Sequence, residues 1–453
     1  MAASSNSKCP YYSSCPAIVL MLPWLAHGHI SPFLDLAKKL STRSFIVFLC
    51  STPANLSSVK DKLTPENSIF IQLVELHLPS LPELPSSWHT TNGLPHHLMS
   101  HLKMAFDMST PSLTTILRTL KPDLLIYDFL QPWAPAAASI YNIPSVLFLT
   151  TAAAPISFVI HTFGHTCIEY PFPEIYLREY EKSKMARAAN GQKDADRFFM
   201  CVEKSTSIIL IKTFGEIEGK YIESLSSTTK KKIVPVGSLL HQNPNKENDQ
   251  LTEISKWLNK KDQTSTVFVS FGSEYFLSSE DMKEIAHGLE LSKVCFIWVV
   301  RFPTGDSRNA EEALPQGFLE RVGERGMVVN WAPQREIIGH PSIGGIVSHC
   351  GWGSVMEAIE TGVPIVAMPM QLDQPWNARL VEEIGVGIEV IRERNGQLNR
   401  EELARVIRKV VMEKTGQDVR RKAKEMSELI RKKEEEEMDG AVMELLQLCG
   451  NSK

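Results

Sequence analysis

The chain has 453 residues, 43% of them hydrophobic and 22% charged, which is ordinary globular usage and enough for two or three domains. That balance excludes disordered, collagenous and coiled-coil architectures. Forty-eight Lys+Arg against 52 Asp+Glu leave a net charge of −4, so no basic field draws the chain to nucleic acid or to an anionic membrane.

The first sixteen residues, MAASSNSKCPYYSSCP, are polar, and no stretch approaches the ~20 apolar residues of a membrane span. Neither a signal peptide nor membrane insertion is expected. Eight cysteines (Cys9, Cys15, Cys50, Cys167, Cys201, Cys295, Cys350, Cys449) are scattered without a CxxC pair, which argues against a zinc framework or disulfide scaffold and for a reduced, cytoplasmic protein.

Short apolar runs then alternate with amphipathic segments. The expected strands are Ala17–Leu22, Ser44–Cys50, Phe70–Leu78, Asp123–Tyr127, Ser145–Leu149, Ser207–Ile211 and Ile233–Val236. A second series follows: Thr266–Ser270, Phe296–Val300, Met327–Val329, Gly345–Ser348 and Pro364–Met368. Apolar on alternate positions of both faces, they read as buried parallel strands. A helix over Pro32–Leu40 is expected, with Ser31 as N-cap and Pro32 at its first position. Strand–helix alternation twice over predicts two doubly wound α/β sheets, separated at the polar segment Ser238–Gln250. The tail from Glu434 is helical by pattern, and its run Glu434–Glu437 reads most simply as a solvated face.

Ligands of open α/β sheets bind beyond the carboxyl ends of strands. After the first strand comes Pro23-Trp24-Leu25-Ala26-His27-Gly28-His29-Ile30-Ser31-Pro32, where a dinucleotide-binding enzyme would carry GxGxxG; its absence counts against a nicotinamide enzyme. Gly28 gives the backbone room to turn, and His29 is either a general base or a helix-start histidine bonded to nearby backbone. Asp128 closes another strand; it either orients His29 or satisfies turn amides. No GxSxG elbow supports serine hydrolysis. His96, His97 and His101 lack a completing Cys or carboxylate, so no metal site is expected there.

The densest signal runs from Trp331 to Gln374: WAPQREIIGHPSIGGIVSHCGWGSVMEAIETGVPIVAMPMQLDQ. A strand ends at His349 and a Gly-rich turn opens a helix, so amides, helix dipole and the Ser354 hydroxyl suit a phosphate. Glu357 is placed to accept from ribose hydroxyls, and Phe271-Gly272-Ser273 forms a second small-residue turn.

This run resembles the plant secondary product box of the family 1 UDP-sugar-dependent glycosyltransferases, and GHISP, LLIYD, VFVSFGS and FIWVVR extend the likeness over nearly the whole chain. The resemblance implies a GT-B fold, with two Rossmann-like doubly wound domains facing across a cleft. Residues 1–243 would bind the acceptor and 244–453 the UDP-sugar, with the last helix, about 434–453, returning to the N-terminal domain. It implies His29 as catalytic base and Asp128 as its partner. It further implies a UDP site of Ser273, Trp331, Ala332, Gln334, His349, Gly351, Trp352, Gly353, Ser354 and Glu357, with Trp331 stacked on uracil. The donor sugar would meet Thr150 or Thr151, Trp352, Asp373 and Gln374, and a final Gln tends to accompany glucose. Trp24, His89, Asn92 and Trp376 are the acceptor-side candidates, with loops Trp88–Leu94 and Thr162–Arg197.

One departure stands out: the family usually reads HCGWNS, and this chain has Gly353 in place of Asn. Weaker donor binding is expected from the lost hydrogen bond. LVELHLP, HTTNGLP, QPWAP and SFGSEYF are similar to members that extend the sugar of triterpenoid, apocarotenoid, lignan or flavonoid glucosides, often by a 1→6 link. The expected activity is inverting transfer of glucose from UDP-glucose to such an acceptor, without a cofactor or metal, by a monomer. Transfer directly to an aglycone, a non-catalytic nucleotide-sugar binder, and a GT-B epimerase or phosphorylase are the competing readings.

Overall fold

The computed structural model describes residues 16–164, 169–188, 192–240, 249–273, 275–302 and 310–450. The N-terminal polar stretch to residue 15 and the expected boundary at 243/244 lie outside the described residues.

Among the described residues thirteen strands form two parallel sheets. The first holds β1 (Ala17–Leu22), β2 (Phe45–Ser51), β3 (Ile71–Glu75), β4 (Leu124–Tyr127), β5 (Ser145–Leu149), β6 (Ile208–Ile211) and β7 (Lys232–Pro235), in the order β3-β2-β1-β4-β5-β6-β7. The second holds β8 (Thr266–Ser270), β9 (Cys295–Val299), β10 (Gly326–Val329), β11 (Ile343–Ser348), β12 (Ile365–Ala367) and β13 (Gly387–Glu389), in the order β10-β9-β8-β11-β12-β13. These are two Rossmann-like arrangements. β1, β4, β5, β8 and β11 are buried along almost their whole length, as strands covered by helices on both faces must be. Around the second sheet Phe296, Trp298, Phe318 and Leu403 belong to one continuous apolar core.

By compactness the chain divides into two units. One comprises residues 1–148, 201–209 and 439–453; the other comprises 149–200 and 210–438. In the first, Arg43 Nε donates to Asp439 Oδ1 at 2.8 Å, fastening the end of the long helix Gln417–Gly450.

Several expectations need correction. The first helix begins at His27, not Pro32, with Ala26 as N-cap and Pro32 inside it. The apolar positions Ile30, Phe33, Leu34 and Ala37 are buried and carry the helix back past the proline. Gly28 has no positive φ, so it does not serve to turn the backbone. The third strand stops at Glu75, not Leu78, and β13 was not expected. The terminal helix starts at Gln417, upstream of Glu434. Nor is the run Glu434–Glu437 simply solvated. Glu434 accepts from the Ser238 amide (3.0 Å) and hydroxyl (2.9 Å), and Glu437 from the Gly215 amide (2.8 Å).

Candidate active site

In each sheet the strand order reverses once, between β1 and β4 and between β8 and β11, and the residues beyond such switch points are where ligands of this architecture lie. Register does the placing. Leu22 pairs with Tyr127 at the ends of β1 and β4, which brings the turn after each into contact. Ser270 pairs with Ser348 likewise, so the turns after β8 and β11 are neighbours.

Beyond β1 and β4, His29 Nδ1 and Asp128 Oδ2 lie 2.8 Å apart. Asp128 is wholly buried and the imidazole 22% exposed. The same Asp128 oxygen accepts the Trp24 amide at 3.0 Å, and Oδ1 accepts the Phe129 amide at 2.8 Å. With the Trp24 and Phe129 amides donating to this carboxylate, the remaining contact is the one His29 Nδ1–H makes, which fixes the ring's proton on Nδ1. His27 points elsewhere, its Nε2 being 2.9 Å from Lys62 Nζ.

Beyond β8 and β11, His349 packs between two glycines. A Cβ at Gly272 would stand 2.8 Å from His349 Nε2, and one at Gly351 only 2.6 Å from it; Gly272 also has φ +77°. Position 272 therefore requires glycine, and a side chain at 351 would have to push the His349 ring aside. Burial lowers the His349 pKa to about 4, opposed only by the Ser270 backbone, so the ring is neutral at neutral pH and offers a hydrogen bond, not a charge. Ser273 is exposed on the adjoining turn.

Gly351 caps the helix Trp352–Thr361. Gln334 Nε2 donates to Ser354 Oγ at 3.0 Å and to Glu357 Oε2 at 2.7 Å, gathering three of the expected UDP residues. Burial raises the Glu357 pKa, while Gln334, Lys212 and Arg335 oppose the shift. Trp331 exposes 47% of its surface, and Ala332 beside it is half-buried. Trp352 is different: its indole is buried and its N–H is committed to the Lys212 carbonyl at 2.5 Å. A Cβ on Gly353 would meet nothing within 4 Å.

Asp373 precedes the helix Gln374–Glu383, and its Oδ2 accepts from Thr151 Oγ1 (2.5 Å) and Asn377 Nδ2 (3.0 Å). Of the two threonines expected at the donor sugar, Thr151 makes this contact. Gln374 folds its Oε1 onto the amides of Met370 and Gln371 at 3.0 and 2.9 Å.

The acceptor-side candidates divide. Trp24 is buried edge-on against Phe106, Trp376 is buried against Phe158, and His89 is buried. Asn92 is exposed on the loop that Thr91 ties to the Leu25 carbonyl at 3.0 Å. Of Thr162–Arg197, residues 165–168 and 189–191 lie outside the described residues; Arg178 and Glu181 are held by Glu389 and Arg379. His101 faces Glu83 at 3.6 Å, and no group of three metal-ligating side chains occurs among the described residues. Lys212 went unnoticed in the sequence, although its place just after the apolar run of β6 is the same signal that singles out Asp128.

Comparison with known proteins agrees in extent. Residues 16–241 match a family model described as glycosyltransferase, N-terminal domain, and residues 229–445 one described as UDP-glucoronosyl and UDP-glucosyl transferase. UDP-glucosyltransferase 29 of Panax ginseng is 53% identical over 437 residues, covering 96% of this chain and 97% of that protein. Beta-D-glucosyl crocetin beta-1,6-glucosyltransferase of Gardenia jasminoides is 51% identical over 436 residues, covering 94% and 98%. Among solved structures, Phytolacca americana UGT2 complexed with UDP-2fluoro-glucose and pterostilbene is 26% identical, with a TM-score of 0.77 over 95% of this chain and 99% of that one.

Proposed function

The chain belongs to the plant UDP-sugar-dependent glycosyltransferases, and from that premise we propose that it transfers glucose from UDP-glucose, with inversion, to a sugar hydroxyl of a small-molecule glucoside. The observation that carries the chemistry is the 2.8 Å contact between His29 and the buried Asp128. Asp128 holds the proton on Nδ1; the acceptor hydroxyl gives its proton to Nε2 as its oxygen attacks the anomeric carbon. The C–O bond to the diphosphate breaks and UDP departs, its new charge met by donors preset for it. Asp128 then stabilises the imidazolium.

In this reading Trp331 takes uracil, Glu357 and Gln334 take the ribose, and neutral His349, Ser273, Ser354 and the amides after Gly351 take the diphosphate. Asp373, Gln374 and Thr151 hold the hexose. Trp352, with its indole N–H engaged, acts chiefly by anchoring the helix that presents Ser354 and Glu357. The acceptor is assigned to residues 1–243 and the UDP-sugar to 244–453. Amides and a helix terminus supply the leaving-group stabilisation, so no metal is required. We place the protein in the cytoplasm, as a monomer.

The glucoside acceptor is supported by the 51% identity to an enzyme named for 1,6-glucosylation of glucosyl crocetin. The test supplies UDP-glucose with matched sets of aglycones and their glucosides and weighs the products. Products from glucosides are expected; products from aglycones alone would instead assign transfer to the aglycone. His29→Ala should abolish transfer while UDP still binds, whereas a wild-type protein that binds UDP and transfers to nothing is a binder.

A further inference from the structure

The helix Ala153–Phe163 has no cap of its own. Its N-cap is Ala152, which offers no side-chain acceptor. The cap comes instead from Glu218, far along the chain: Oε2 accepts the Ala153 amide at 2.9 Å and Oε1 the Ala154 amide at 2.8 Å. Glu218 is completely buried and departs from helical geometry (φ −126°, ψ 22°) inside its helix Gly215–Thr229.

What it holds is two residues from the hexose site. Thr151, just before the capped turn, donates to Asp373 at 2.5 Å. The same helix reaches the other end of the Asp373 helix, where Tyr221 and Lys220 both bond Glu383. One helix thus fixes the start of Ala153–Phe163 and the end of Gln374–Glu383, the two elements that meet at Thr151 and Asp373. Burial pushes the Glu218 carboxyl up to about 7, against the pull of Thr213 and the two amides.

We propose that Glu218 is a positioning residue for the donor sugar: by capping the helix Ala153–Phe163 it sets Thr151 against Asp373 and so aims the carboxylate that grips the hexose. This rests on the assignment of Asp373 to the sugar. Glu218 itself touches no substrate, so its effect must appear on UDP-glucose and not on UDP.

Glu218→Gln keeps the shape but turns one acceptor into a donor facing an amide N–H. It should raise KM for UDP-glucose about fivefold to tenfold, with inhibition by UDP changed by less than about twofold. Thr151→Ala should do the same, and the double variant should be no worse than the worse single. Equal losses for UDP and UDP-glucose, or multiplying effects in the double variant, would overturn the proposal. If Gln at 218 unfolds the chain, Glu218→Asp carries the same comparison with the charge kept. Asp373→Asn separates the two layers. If it leaves the preference for UDP-glucose over UDP intact, the sugar assignment falls and the proposal with it. If it removes that preference while the Glu218 variants keep it, the proposal alone falls.

Discussion

Asp128 has no solvent around it, yet three donors from Trp24, Phe129 and His29 converge on its two oxygens. Asp128→Asn would put an amide N–H where an acceptor is needed and favour the wrong His29 tautomer. Its kcat should fall about 10²- to 10⁴-fold with UDP affinity unchanged, as steady-state rates and calorimetry would measure. Gly353 is the opposite case, an open position. Gly353→Asn restores a donor beside the expected diphosphate and removes a helix-weakening glycine. UDP-glucose should bind up to about tenfold more tightly; unchanged affinity in a binding titration would count against the diphosphate placement. Both residues were visible in the sequence, because strand ends and a broken motif are local signals. Glu218 was not, since its partners lie more than sixty positions away and no local pattern marks a cap supplied in trans.

At the level of elements, the terminal helix acts through the two acidic residues first read as solvated. Glu434 and Glu437 stand three positions apart, one helical turn, and both face backbone amides at Ser238 and Gly215. Glu434→Ala leaves the amide and hydroxyl of Ser238 without that acceptor and should cost about 1–2 kcal/mol in chemical denaturation. Glu436→Ala, on an outward side chain that is 69% exposed, should stay within about 0.5 kcal/mol of the parent. Most strands were legible because runs such as Ile208–Ile211 are apolar on both faces. β13 was not: Gly387-Ile388-Glu389 is three residues long and ends in a carboxylate whose burial depends on Arg178 and Arg379. The helix start was missed because a proline marks a first turn more often than it sits inside one.

For the whole molecule, acid is the informative stress. The unfolded His349 imidazole takes its proton near pH 6.5, and the folded one only near 4. Between those values the unfolded state binds more protons, so stability rises with pH there and is lost as pH falls through the window. His349→Asn should flatten the acid limb of a stability–pH curve measured by denaturation from pH 4 to 7; an unchanged limb would place the titration elsewhere. The alternation of strands and helices foretold two sheets. It could not foretell their strand order, which is set by nonlocal pairing such as Leu22 with Tyr127 and Ser270 with Ser348. That pairing alone makes neighbours of residues that the chain separates by several dozen positions or more.

The setting of Asp128 bears on how such a protein changes over generations. Two of its three donors are main-chain amides, which any amino acid at positions 24 and 129 except proline supplies. The carboxylate is therefore filled by main chain whatever the side chains at those positions, although the Phe129 ring also packs against the His29 imidazole at 5.4 Å. A lineage can exchange the side chain at 24, or remodel the exposed loop around Asn92, and try new acceptors while the proton-abstracting pair is inherited intact.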